Sequence, residues 1–410
     1  MPRGKRSGLI SLMAVLLGLV TLGVPATGAW ARGVEATRAE LKVSGTRTSF
    51  VLDLSQGVRA EIFTLANPYR VIIDLPDVNF RLPKQAGQTG RGLVTAFRFG
   101  LLDEGKARIV LDTKKPVLIG NAGMAVHAGK AVRLTVELVG TTPKDFGAGT
   151  GGQRTAYAPL KSEPYQERSK KPKNRAKPVV LIDPGHGGVD PGTISFSNHK
   201  EKTVVLAVGK KLREQLAKTG RYDVHMTRTR DVFISLDERL RMSRKLDADL
   251  FISLHADAIG QKKLANSVRG ATVYTLSEKA SDETARIMAE KENASDAIAG
   301  LQTEIDSQEE VRSILIDLLK RETANFSADL SNTVVKRLGK SISLSRRPQR
   351  SAAFKVLRQA DTPSVLIELG YMSHKEDEKL LNSSAWQSSV AAALTSAIDS
   401  YFAKRTAKAR

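Results

Sequence analysis

An α/β domain with a mostly parallel sheet flanked by helices, preceded by a small all-β sandwich, is the fold class this sequence predicts. Three observations carry it. From residue 178 to 405, apolar strand-like runs alternate with helical stretches, the pattern of a βαβ series. Two of those runs, Val179–Ile182 and Leu250–Leu254, are apolar on every residue but one and stop abruptly, as strands buried on both faces do. Residues 35–141 instead hold short alternating runs separated by turn residues.

Length and composition set the frame. A chain of 410 residues is long for one core, so more than one domain is expected. The formal charge of +21 favours anionic partners such as nucleic acid, anionic lipid or an anionic wall polymer. The N-terminus narrows these. Arg3, Lys5 and Arg6 form a basic region, Leu9 to Val24 an apolar one, and Ala29-Trp30-Ala31 a cleavage motif. Residues 1–31 therefore read as a signal peptide, of Sec type because Arg3 and Arg6 are not adjacent. The apolar run is short for a stable membrane span. An exported protein rarely meets nucleic acid, so no such partner is expected. There is no cysteine, so a metal site would have to use histidine and carboxylates.

The elements follow in order. In the β-module, Thr48–Leu54, Ala60–Thr64, Tyr69–Leu75, Lys106–Asp112 and Ala131–Leu138 read as strands, with Gly45, Gly57, Asn67-Pro68 and Gly105 at the turns. Residues 142–177 change character: Gly147 to Gly152 is glycine-rich, and Lys161 to Lys177 is basic with few aliphatics, a flexible tether. In the α/β region, a helix from Lys200 to Lys218 closes at Gly220. A strand at Tyr222–Thr227 and a capping box at Ser235-Leu236-Asp237-Glu238 follow. Beyond the strand ending at His255 come a strand at Ala271–Leu276, a long helical stretch over 280–338, a strand at Ser364–Glu368 and a terminal helix at Ala385–Arg405.

The strand ends carry the chemistry. Val179–Ile182 runs into Asp183-Pro184-Gly185 and delivers His186 to the carboxyl edge of the sheet, where open α/β sheets build their sites. Glu201 opens the next helix, His255 ends the Leu250–Leu254 strand, and Glu368 ends Val365–Ile367. One histidine after a strand is usually structural, and one glutamate in a first helical turn is favoured by the helix dipole alone. Four such residues at one edge point to a metal hydrolase. A catalytic zinc takes three protein ligands and lowers the pKa of water from about 15.7 to about 7. His186, Glu201 and His255 suit the ligands. Glu368 suits the proton-carrying carboxylate, because a charge at the end of an apolar strand is expensive unless it serves a site.

These residues resemble a known family. Asp183-Pro184-Gly185-His186-Gly187-Gly188, Glu201, Thr227-Arg228, Asp249–Ala256 and Val365–Gly370 are similar to the zinc-dependent N-acetylmuramoyl-L-alanine amidases of bacterial cell division and sporulation. The resemblance covers residues 178–405. It implies hydrolysis of the amide between N-acetylmuramic acid and the L-alanine of the peptidoglycan stem peptide. It also implies one zinc ion on His186, Glu201 and His255, with Glu368 as the catalytic carboxylate. Leu65–Pro76 resembles the AMIN domain that precedes periplasmic amidases, implying peptidoglycan binding, septal targeting and a periplasmic location.

About 90 residues separate the strand at Ala271–Leu276 from that at Ser364–Glu368, far more than a usual connection. The insertion, over residues 280–320, carries the charged helix Ser281–Ala299. A solvated surface helix is the plain reading. By resemblance to division amidases that are held inactive until a LytM-type activator binds, Glu292 is expected to occupy a zinc position, with Glu290 as the alternative. The next helix presents Val311, Ile314, Leu315, Leu318 and Leu319 on one face, for core packing or an activator. Arg228, Arg239 and Arg358 are candidates for stem-peptide carboxylates or for ordinary ion pairs. A stem-peptide metallopeptidase and a non-catalytic wall-binding regulator stay open as alternative functions. A monomer is the default expectation.

Overall fold

The structure is a computed structural model that describes residues 33–126, 131–146, 175–258, 268–301, 314–359 and 361–408. The expected signal peptide, residues 147–174 of the tether expected over 142–177, and Val311 lie outside the described residues, as do the side chains of residues 314–320. Among the described residues no helix is long and apolar enough to cross a membrane.

Among the described residues, nine strands form the β-module: β1 (Val34–Ser44), β2 (Arg47–Leu54), β3 (Glu61–Leu65), β4 (Arg70–Pro76), β5 (Val78–Phe80), β6 (Val94–Asp103), β7 (Lys106–Thr113), β8 (Val117–Val126) and β9 (Val132–Gly140). They make two sheets, β5-β1-β2-β9-β8 and β3-β4-β7-β6. Period-two alternation turns Phe50, Leu52 and Leu54 of β2 towards Val71, Ile73 and Leu75 of β4, and these residues share one core. The sequence signal covers β2, β3, β4, β7 and β9. It is weak for β5, which has three residues, and for the edge strand β8, which carries Gly120, Asn121 and Gly123. Sheet β3-β4-β7-β6 is buried on its second face as well. There Phe63, Leu65, Ile72 and Val110 pack with Val189, Phe233 and Ala299 of the α/β region.

The α/β region comprises β10 (Val179–Pro184), α1 (Glu201–Lys218), β11 (Asp223–Met226), α2 (Leu236–Leu246), β12 (Leu250–His255), β13 (Ala271–Leu276), α3 (Glu283–Asn293), α4 (Ser295–Ile298), α5 (Ile314–Leu338), β14 (Leu344–Ala352), β15 (Ser364–Glu368), α6 (Lys375–Leu381) and α7 (Ser384–Lys408). The strand order is β11-β10-β12-β15-β13-β14. β10, β11, β12 and β15 run parallel, whereas β13 pairs antiparallel with β15 and parallel with β14. The sheet is thus mixed and mostly parallel. β14 escapes the sequence reading because Leu344–Ala352 is basic and contains Pro348. Both features suit an edge strand, where charge and a missing donor discourage further pairing.

Alternate residues of the central strands face opposite helical layers. Val180, Ile182, Ile252 and Ile367 meet α1, α5 and α7 through Val205, Leu212, Val334 and Leu394. Leu181, Phe251 and Leu366 meet α2 and α3 through Leu236, Ala285, Met288 and Ala289. Full burial of each such side chain is worth about 1.5–3 kcal/mol. The helical stretch expected over 280–338 comprises separate helices: α3 and α4 are short, and α5 is described from Ile314.

A buried ionic cluster fixes the carboxyl edge of β10. Asp183 accepts from Thr227 Oγ1 at 2.7 Å, Ser253 Oγ at 2.8 Å and Arg239 Nη1 at 2.6 Å. Arg239 also donates to the carbonyl of His186 at 3.0 Å. Burial opposes ionisation of Asp183, yet Arg239 and the two hydroxyls outweigh it and hold the carboxyl below its usual range. Removing one partner of such a pair strands the other. Arg239→Ala should therefore cost about 3–5 kcal/mol at neutral pH, measured by denaturant unfolding. The deficit should shrink on acidification, because the unpaired Asp183 then takes up a proton that the paired one refuses.

Candidate metal centre

His186 follows β10, Glu201 is the first residue of α1, and His255 ends β12. The parallel register aligns β10 with β12 and places His255 beside Glu368 of β15. His186 adopts a left-handed backbone with φ of 56°, a conformation that strains a residue with a side chain and persists only where its surroundings enforce it. Arg239 on its carbonyl and Asp190 on its ring supply that enforcement.

Four side chains converge. Glu201 Oε1 lies 3.1 Å from His186 Nε2 and 3.2 Å from His255 Nδ1. Glu292 Oε2 lies 3.0 Å from His255 Nδ1 and 3.4 Å from His186 Nε2. Despite these distances, the two imidazole nitrogens form no hydrogen bond, and neither does Glu292 Oε1. One ligand atom each from His186, His255 and Glu292 lie within 4.8 Å of one another, close enough to hold one metal ion. Donors held tetrahedrally around zinc at ~2.0–2.1 Å sit roughly 3.3 Å apart, so the donor set and its spacing fit that ion.

The electrostatics agree. Burial disfavours protonation of His255, but Glu292 and Glu201 push its pKa up to about 10. Burial opposes His186 in the same way, and Glu201, Asp190 and Glu292 raise it well above the ordinary value. Glu201 is held well below the carboxylate range by the two histidines, against its burial. Carboxylates that draw protons onto two imidazoles would equally draw a metal cation, which competes with protons for the same nitrogens.

Neighbouring groups hold the donors in place. His186 Nδ1 lies 2.8 Å from Asp190 Oδ2, the carboxylate–histidine pairing that orients metal-binding imidazoles. Glu201 accepts from the backbone of Thr193 and Ala256, each at 2.9 Å. Glu368 accepts from Asp257 N at 2.9 Å through Oε2, while its buried Oε1 has no hydrogen-bond partner. Burial first, then Glu201 and Glu292, raise Glu368 well above the usual carboxylate pKa. It is therefore suited to take up and return a proton. Asp190 and Asp257 were not singled out from the sequence. Their signal was only proximity, Asp190 four residues beyond His186 and Asp257 two beyond His255.

The insertion closes the site. Ala285, Met288, Ala289 and Glu292 form the buried face of α3, spaced as one helical stripe. Glu292 is the acidic member of that stripe and is only 4% exposed. Glu290, the alternative, is 63% exposed on the opposite side and pairs with Arg286. Lys291 donates to Asp257 and, at 2.8 Å, to Thr193 Oγ1. Asn293 bonds the backbone of Ala353 and Lys355, Ser295 donates to Asp190, and Asp296 accepts from Leu236 N. His186, His255, Glu201 and Glu368 are all buried beneath this segment.

Two of the candidate arginines serve the scaffold. Arg228 is buried and donates to the carbonyls of Pro184, Gly185 and Lys202, and Arg239 joins the Asp183 cluster. Neither faces an open cleft, because the carbonyls left unpaired at the strand end claim their donors. Arg358 is exposed. Of the remaining histidines, His199 pairs with Glu378 and His225 with Asp223, away from the centre.

Comparison with known proteins follows the same division of the chain. The family described as N-acetylmuramoyl-L-alanine amidase matches residues 180–400. The AMIN domain matches residues 39–119. The N-acetylmuramoyl-L-alanine amidase AmiC of Neisseria meningitidis is 32% identical over 383 residues, 90% of either chain. AmiC of Escherichia coli is 31% identical over 378 residues, 88% of either chain. AmiA of Escherichia coli is 37% identical over 244 residues, 59% of this chain and 82% of its own.

In metal-free protein, the C2 proton of His255 should titrate by NMR near a pKa of about 10. Glu292→Gln should lower that midpoint, because it removes the anion that most favours the imidazolium. An unchanged midpoint would mean that Glu292 does not face His255 in solution.

Proposed function

The chain belongs to the N-acetylmuramoyl-L-alanine amidase family, and on that premise we propose a zinc-dependent, self-inhibited hydrolase of peptidoglycan. The observation that carries the metal is that His186 Nε2 and His255 Nδ1 lie 3.1 and 3.2 Å from the same Glu201 Oε1, with both nitrogens free of hydrogen bonds. His186, Glu201 and His255 would hold the ion. When bound, zinc supplies an electrophile that polarises the substrate carbonyl and acidifies water.

The chain's own residues do the rest. Glu368 accepts the proton released as the oxygen nucleophile attacks the lactyl carbonyl of N-acetylmuramic acid. It then returns that proton to the nitrogen of L-alanine as the C–N bond breaks. Its raised pKa suits both transfers. Asp190 keeps the His186 ring in one orientation, and Asp257 N steadies Glu368 through a 2.9 Å hydrogen bond.

Glu292 is the inhibitory residue in this reading. It lies next to both histidines, on the buried face of α3, and would compete there with a substrate carbonyl. Opening then requires an activator, and the resemblance of the sequence to division amidases implies a LytM-type protein. The leader supports export to the periplasm. The AMIN match supports peptidoglycan binding and recruitment to the septum.

Mass spectrometry of products from purified peptidoglycan tests the proposal. Glu292→Ala should release stem peptides beginning with L-alanine faster than the unaltered chain does. Cuts within the stem would instead make the protein a peptidase. Adding Glu368→Gln should lower the rate about 10²–10⁴-fold while one equivalent of zinc stays bound. His255→Ala should lose the zinc itself.

A further inference from the structure

The closing segment is held from both sides. Its first half is tied to the catalytic domain by Lys291, Asn293, Ser295 and Asp296. Its second half ends against the β-module. α4 stops at Ile298, and Gly300 turns the chain with φ of 74°. The last carbonyls of a helix lack intrahelical partners and attract cations. Here they meet three arginines from the outer face of sheet β3-β4-β7-β6. Arg70 donates to Ala297 O. Arg98 reaches Ile298 O at 3.2 Å. Arg108 Nη1 bonds Ala299 O at 3.2 Å and Gly300 O at 2.9 Å.

These guanidinium groups are set in place by the β-module itself. Arg108 is bidentate to Asp74 at 2.6 and 2.7 Å, its cross-strand neighbour. Arg98 is bidentate to Asp112, and Arg70 donates to Pro68 O at 3.1 Å. Arg108 and Arg70 are 1% and 2% exposed. A surface whose donors are already oriented loses little freedom on docking. The apolar part of the contact is equally close: a Cβ on Gly300 would lie 2.7 Å from Ile72 Cδ1.

We infer that the AMIN-like β-module is a second lock on the active site: its Arg70–Arg98–Arg108 face is a docking surface for residues 295–300, so withdrawal of Glu292 and undocking of the module are coupled. The inference rests on the inhibitory role given to Glu292 above. It adds a role for the module besides binding the wall. A wall polymer or activator that pulls the module away would leave the carbonyls of residues 297–300 without their cations and so loosen the segment bearing Glu292.

The test uses the full chain in four variants. Glu292→Ala probes inhibition itself. Arg98→Gln with Arg108→Gln weakens the lock from the module side. Gly300→Leu weakens it from the segment side, by crowding Ile72, without altering any residue of the module. Arg47→Gln breaks an exposed ion pair with Glu137 elsewhere on the module and serves as the control. Basal peptidoglycan hydrolysis and hydrogen exchange over residues 283–300 are read for each. Loss of a charge-assisted hydrogen bond predicts about tenfold faster exchange or more.

The expected result is raised hydrolysis and faster exchange for the arginine pair and for Gly300→Leu, with Arg47→Gln unchanged. If Glu292→Ala raises hydrolysis while both lock variants match the unaltered chain in rate and exchange, the lock is refuted and inhibition stands. If Glu292→Ala has no effect, inhibition is refuted and the lock falls with it. Should the arginine pair unfold the module, Gly300→Leu decides alone.

Discussion

His186, Glu201, His255, Glu292 and Glu368 share a space buried from solvent, and much of the catalytic domain is arranged around holding charge there. A carboxylate in such a place is expensive unless donors or cations meet it. Glu201 has two backbone N–H groups, Glu368 has one, and Glu292 has His255. Ala256 N and Asp257 N are available because they follow the end of β12, and Thr193 N lies in the loop between β10 and α1. The Asp183–Arg239 cluster lies directly beneath and ties the same strand ends to α2. The proposed metal affinity and proton transfer, and the rigidity of the strand ends, thus draw on one set of buried polar contacts.

The α3 segment uses this arrangement rather than adding a separate one. Ala285, Met288 and Ala289 anchor α3 to the sheet by ordinary apolar packing, and the next residue on that stripe is Glu292. The neighbouring Lys291 reaches Asp257, whose backbone N–H supports Glu368. One turn of helix therefore contacts the groups on both sides of the proposed reaction centre. Packing sets where α3 lies, and electrostatic complementarity sets which carboxylate enters. Glu290 is two residues earlier and about 200° away around the helix, so it faces solvent.

Much of the candidate site was legible because its residues stand at or just beyond the ends of apolar strands. His255 and Glu368 each break an apolar run, His186 follows one across Asp183-Pro184-Gly185, and a polar group at such a position needs a physical reason. Glu201 opens a helix, where acidic residues are common, so it gained meaning only beside the others. Asp190 and Asp257 lie in turns with no such contrast, and their importance comes from which atoms they reach after folding. β14 was hidden by Pro348 and its arginines, which serve its edge position and not its pairing. The contact between the β-module and the catalytic domain had no signal at all. Arg70, Ile72 and Asp74 read as the outward residues of an alternating strand, and alternation cannot distinguish a face meeting solvent from one meeting another domain.

The composition of that contact bears on how it can open. Its apolar part, formed by Phe63, Leu65, Ile72 and Val110 against Val189, Phe233 and Ala299, is non-directional and tolerates small shifts. Its polar part tolerates little: arginines held in a fixed orientation bond successive carbonyls of one short segment. A second fixed point lies at Gly188, where a Cβ would fall 1.7 Å from Leu101 O, and Phe233 N donates to that same carbonyl at 3.1 Å. Gly188 is two residues from His186. The module therefore meets the catalytic domain at both the loop carrying one histidine and the segment carrying Glu292. A small rotation would strain the directional bonds before it exposed much apolar surface. A contact built this way holds one geometry firmly, and its directional bonds lie in the two segments that also carry His186 and Glu292.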